Sequence, residues 1–97
     1  MKFEEKRDAL TQVNEDALLA DGFEDALIGY VSQFNKTVAL YDRAKCIQIL
    51  MKDGLTESDA EEFFEFNTQG ACVGENTPAF AVLFEPAQPE EPRVDSR

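Results

Sequence analysis

No histidine occurs anywhere in this chain. Its absence removes the side chain that most often moves protons near neutral pH and the commonest metal ligand. Cysteine is scarce. Cys46 and Cys72 form no C-x-x-C pair, which reads as two reduced thiols in a cytosolic setting rather than a disulfide framework. Long hydrophobic runs are missing as well. Charges interrupt every apolar stretch, so no segment reads as a transmembrane span. The opening residues, Met1 to Leu10, are charged where a secretory leader needs an apolar core. The expected location is therefore the cytoplasm.

The most informative deficit is of positive charge. The chain carries 20 acidic against 9 basic residues, a net charge of −11. Between Lys52 and Arg93 there is no lysine or arginine, while acids run from Asp53 to Glu91. Binding to nucleic acid needs cations against phosphate, and binding to an anionic membrane needs them against lipid headgroups. Neither is expected as a direct partner. The natural complement of such a surface is a protein with a basic one.

What is present suffices for one domain. With 97 residues, 43% hydrophobic and eight of them phenylalanine, a compact core is within reach, although a chain this short buries little surface and is only marginally stable. Phe3, Leu10, Val13 and Ala17 fall on one helical face, predicting a helix within residues 3–20 that ends near Asp21-Gly22. Residues 26–33 and 37–41 read as two strands of an antiparallel hairpin around Phe34 to Thr37. Gly29 marks a bulge or a close contact in the first of them.

Asp42 is a suitable N-cap for a helix from Arg43 to Lys52, closed by Gly54. Ala44, Cys46, Ile47, Ile49, Leu50 and Met51 cover more than half of that helix, so cover on more than one side is expected. Thr56, with Asp59 three residues on, caps another helix running to about Thr68, with Gly70 as terminator. Ala60, Phe63, Phe64 and Asn67 are assigned to its inner face. The short Asp53–Leu55 link makes the two a helical hairpin.

Residues 79–84 read as a final buried strand. Residues 86–97 hold three of the four prolines and almost nothing apolar, the composition of a disordered tail. The expected architecture is one α+β domain over residues 1–85. It has an N-terminal helix, a β-hairpin, a helical hairpin and a final strand, with helices packed on a small, mostly antiparallel sheet.

Two features of the last helix carry the functional expectation. Glu57, Glu61 and Glu65 recur every four residues and line one face; Glu62 and Asp59 extend the acidic region around it. Like charges at this spacing cost a few tenths of a kcal/mol each with no cation in the helix to offset them. The face is either a docking surface for a basic patch or a solvated surface that aids solubility. Phe66 falls between Glu62 and Asp59 on the helical wheel. An exposed aromatic ringed by acids makes an apolar anchor for a partner. The candidate partner-binding residues are thus Glu57, Glu61, Glu62, Glu65 and Phe66.

No catalytic, cofactor or metal residues are assigned. The loop from Gly70 to Pro78 has glycines but no lysine and the wrong spacing for phosphate. Cys72 has no histidine to activate it. Asp59, Glu62 and Glu65 do not match a calcium loop. Alternatives left open are a homo-oligomeric structural or assembly protein, paired through apolar surface around the hairpin and the helix that follows it, and a small-molecule-binding module using the glycine loop and Cys72.

Several stretches taken together have a further bearing: Leu19 to Gly29 (LADGFEDALIG), Tyr41 to Ile47 (YDRAKCI), Glu61 to Asn67 (EEFFEFN), and Gly70-Ala71 followed by Gly74 to Phe80 (GENTPAF). This pattern resembles a widespread group of small, uncharacterised proteins of tailed bacteriophages. The resemblance spans about residues 19–80 and omits the N-terminal helix and the tail. It supplies no activity and no catalytic residue. It implies a host bacterial cytoplasm and an accessory protein that inhibits or modulates a host or defence factor, in some such proteins by imitating nucleic acid.

Overall fold

The computed structural model describes residues 1–33, 36–69 and 74–85. Helix α1 spans Phe3–Val13, and its first turn is closed by the Lys2 backbone N–H donating to Glu5 Oε1 at 2.9 Å. The helical rhythm continues in the sequence to Ala17, but the helix does not. Asn14 turns extended, and its side chain takes over. Asn14 Nδ2 donates to the Thr37 carbonyl at 2.7 Å and to Asn76 Oδ1 at 3.1 Å, while Oδ1 accepts from Asp16 N at 3.0 Å. An amide side chain that binds backbone in this way competes with helix continuation. Val13, assigned to the inner face, is consequently left exposed, and Leu10 carries the contact with the core. Gly22 is left-handed as expected (φ 91°), but in a turn rather than at a helix end. A single 3₁₀ turn, Glu24–Ala26, leads into the sheet.

Strands β1 (Leu27–Gln33) and β2 (Lys36–Asp42) form the expected antiparallel hairpin. Its register slips between Leu27 and Gly29. Gly29 therefore marks a bulge, and not a close contact, since a Cβ there would meet nothing within 4 Å. Strand β3 is short, Ala79–Ala81, and joins the other side of β2 in parallel, so β2 is central in a three-stranded mixed sheet. A parallel neighbour requires a crossover, and the two helices between β2 and β3 supply it. The strand was expected to reach residue 84. It stops at Ala81, and Val82, Leu83 and Phe84 are exposed rather than buried.

Helix α2 (Arg43–Lys52) begins where Asp42 caps it, its Oδ1 accepting from Ala44 N at 3.0 Å. It is covered by β2, by the 3₁₀ turn and by the next helix, and buries Cys46, Ile47 and Leu50. Ala44 and Met51 stay exposed. Gly54, with φ 111°, turns the chain. Helix α3 (Glu57–Phe63) starts with Thr56 Oγ1 accepting from Asp59 N at 3.1 Å. It continues directly as π-helical turns over Phe64–Gln69. The expected terminator Gly70, Cys72 in the glycine loop and the tail 86–97 lie outside the described residues.

The core draws on every layer: Leu10 from α1, Phe23 and Ala26 near the 3₁₀ turn, Leu27, Ala39 and Tyr41 from the sheet, α2, and Ala60 and Phe64 from the last helix. Phe64 is its hinge pin. Its ring stands edge-on to Phe23 at 6.1 Å and to Phe80 at 5.0 Å, and Phe80 in turn packs on Tyr41 at 5.6 Å. Such aromatic pairs add to the burial itself. The buried Tyr41 hydroxyl accepts from Ala20 N at 2.8 Å, which satisfies its polar tip. Among the described residues, no helix is long and apolar enough to cross a membrane.

Candidate functional site: the outer face of the last helix

Helix α3 buries a narrow line. Ala60 and Phe64, four residues apart, are fully enclosed, and they suffice to attach the helix to α2 and the aromatic cluster. Phe63 and Asn67, assigned to the inner side, turn outward. Phe63 is 44% exposed and Phe66 is 73% exposed. The reason is angular. At about 100° per residue, one step from Phe64 to Phe63 already rotates a side chain off a line this narrow.

The outward residues form a site of their own. Asp59, Glu62, Phe63, Phe66 and Asn67, together with Leu55 from the α2–α3 link, line a shallow cleft of about 340 Å³. Its lining is apolar at Leu55, Phe63 and Phe66 and anionic at Asp59 and Glu62. Among the described residues, no lysine or arginine lines it. The spacing of Asp59, Glu62, Phe63 and Phe66 is i, i+3, i+4, i+7, one continuous stripe along a helix. That stripe is visible in the sequence once Phe63 is released from the inner face, and it is the part of the site that helical-wheel reasoning misassigned.

The five candidate residues divide. Glu62 and Phe66 meet in the cleft. Glu57 and Glu61 are exposed and lie on another flank, since Glu61 and Phe63, two residues apart, point about 160° away from each other round an α-helix. Glu65 is engaged by a cation from the first half of the chain. Arg43 Nη2 donates to its Oε2 at 3.2 Å, and the same guanidinium sits 5.4 Å from the centre of the Phe64 ring. The acidic face is thus neutralised at Glu65. Among the described residues, its members without an ion-pair partner are on the Glu57–Glu61 flank and in the cleft.

Chemistry elsewhere is sparse. Cys46 is a fully buried free thiol. Burial, and then the neighbouring Asp42 carboxylate, push its pKa up to about 12, so it stays protonated and unreactive. Burial also raises the Tyr41 phenol. Among the described residues, no three acidic or thiol side chains are gathered to hold a metal ion. A smaller cleft, about 100 Å³, lies between Val82-Leu83 and the start of α2.

Comparison with protein-family models, curated proteins and solved structures returned no match.

Proposed function

We propose that this chain is a binding protein rather than an enzyme, and that it docks on a basic surface of another protein through α3 and the π-helical turns that follow. The observation that carries the reading is Phe66: a large aromatic, 73% exposed, on a helix whose charges are all negative. A contiguous exposed apolar patch rimmed by polar residues is a mark of interaction sites. Such residues, set among charges that exclude water and steer approach, dominate binding energy in protein complexes. Glu57, Glu61 and Glu62 supply the field. Glu65, held by Arg43, supplies less.

The resemblance to small tailed-phage proteins supports a bacterial cytoplasm as the setting and a host or defence protein as the target. Inhibition or redirection of that target is the proposed outcome, and imitation of nucleic acid is one form it takes. The test is affinity capture from bacterial lysate with the wild-type chain and with the Glu57→Lys/Glu61→Lys/Glu62→Lys variant. A basic protein retained by the wild type, and lost both from the variant and at high salt, is the expected result, because exposed charges are screened over about 10 Å at 0.1 M salt. Retention unchanged by charge reversal would overturn the reading.

A second reading rests on apolar surface elsewhere. Ile28 and Tyr30 on the hairpin and Met51 on α2 are exposed, which favours self-association in a structural or assembly role. Light scattering separates the two, since that role requires a dimer and the first does not.

A further inference from the structure

We infer that the cleft beside Phe66 receives one face of an amphipathic, cationic helix from another protein, with an apolar side chain against Phe63 and Phe66 and lysine or arginine side chains against Asp59 and Glu62. This rests on the binding reading above and adds the occupant.

The shape of the cleft selects a helix. Its lining residues on α3 recur at i, i+3, i+4 and i+7, so it runs parallel to the helix axis for about two turns, roughly 10 Å. A partner helix laid along such a ridge offers side chains at matching intervals. An added β-strand would need free backbone donors and acceptors, and the walls here are helix side chains whose own backbone is committed to the helix. The volume, about 340 Å³, lies at the small end of ligand pockets, and the site is shallow. That suits one or two inserted side chains better than a whole small molecule.

Its chemistry selects the charge. A lining of apolar and acidic side chains without a described cation matches a helix whose apolar stripe is flanked by cations. A second copy of this chain is a poor occupant, because each copy carries a net charge of −11. The π-helical geometry from Phe64 onward adds to the case. It is rare, and where it occurs it commonly accompanies a functional site. Here it begins at the residue that anchors the core and carries Phe66 on the outside.

The test uses the full chain, ¹⁵N-labelled, with two synthetic peptides of identical Leu/Lys composition. One places its leucines on a single helical stripe; the other scrambles them. Amide shifts on titration with the striped peptide are expected at Leu55, Asp59, Glu62, Phe63 and Phe66. Fluorescence anisotropy is expected to show Phe66→Ser weakening the striped peptide about thirtyfold, as loss of a central aromatic anchor does. Asp59→Lys/Glu62→Lys should weaken it about tenfold, and Glu57→Lys/Glu61→Lys less than about threefold. All of these side chains are exposed, so the variants should retain the fold, checked by their amide spectra.

Equal binding of the scrambled peptide, or loss confined to the Glu57/Glu61 variant, would overturn the cleft while leaving the acidic-surface reading in place. Full binding by Phe66→Ser would do the same. Shifts at these residues that grow with protein concentration alone would assign the cleft to a second copy and overturn the cationic helix. No response to either peptide at millimolar concentration would defeat both readings.

Discussion

Helices α2 and α3 are neighbours in sequence, and opposite in what they do with their apolar residues. Helix α2 is capped by the buried Asp42, is covered by three different elements and encloses Cys46, Ile47 and Leu50. Helix α3 and its π-helical extension hold on by Ala60 and Phe64 and leave Phe63 and Phe66 outside. The cations differ too. Arg43, Lys45 and Lys52 belong to α2, and α3 has none. The first helix spends its apolar surface on stability. The second keeps two aromatic rings in water, which no folding argument requires.

The sharpest way to break this contrast is to delete one ring at a time. Phe64→Ala should cost about 3–5 kcal/mol, the usual range for emptying a buried phenylalanine site, and in a domain of this size that takes most of the stability. Phe66→Ala should change stability by less than about 0.5 kcal/mol, because an exposed side chain away from caps and pairs rarely matters more. Urea unfolding followed by circular dichroism measures both. If the two substitutions cost alike, Phe66 is packed in solution and the outward face of α3 is not free.

A second effect comes from α2 alone. Cys46 carries a pKa pushed up to about 12 in the folded chain, from an ordinary value of 9.0. The unfolded thiol loses its proton first as pH rises, so the folded state then binds more protons than the unfolded one. Stability contributed by the protonated thiol is full below about pH 9 and falls between there and about 12, by up to about 1.4 kcal/mol per pH unit. Tyr41, raised in the same direction by burial, steepens the fall above its own ordinary value. Cys46→Ala should flatten the lower part of this profile in urea titrations at a series of alkaline pH values. An unchanged slope would mean that the thiol is reached by water.

How much of this could be read from residues alone differs along the same line. Local signals held wherever a single residue makes a single bond. Asp42 and Thr56 cap the helices they were assigned to, Gly29 sits at the bulge, and Gly54 turns the chain. Signals failed where a distant segment decided. Asn14 stops α1 because Thr37 and Asn76 accept from its side chain, and neither is near it in sequence. The run after Ala81 has strand-forming residues but, among the described residues, no neighbour to pair with in the sheet. Phe63 was placed inside because an alternating pattern of aromatics and acids does not say how wide the buried line is. The core needed only Phe64. The exposure of Phe66 was legible, since it falls between Asp59 and Glu62 on the wheel. The cation against Glu65 was not, because Arg43 lies 22 residues away.

That cation is where the two helices touch electrostatically, and it offers the smallest and most discriminating measurement. Arg43 holds Glu65 at 3.2 Å and lies over the Phe64 ring. Both ends of the ion pair are solvent-accessible, so a double-mutant cycle on Arg43→Gln and Glu65→Gln should return a coupling of about 0.2–1 kcal/mol that shrinks with added salt. Arg43→Gln alone should cost more than Glu65→Gln, because it also removes a cation from an aromatic face, worth about 0.5–1 kcal/mol at an exposed site. The consequence for binding is opposite in sign. Removing Arg43 frees Glu65 and extends the anionic surface of α3 by one charge, so association with a cationic partner should become faster and more salt-dependent. If Arg43→Gln instead weakens such binding, the guanidinium is itself part of the docking surface, and the division between a stabilising α2 and a binding α3 does not hold at this residue.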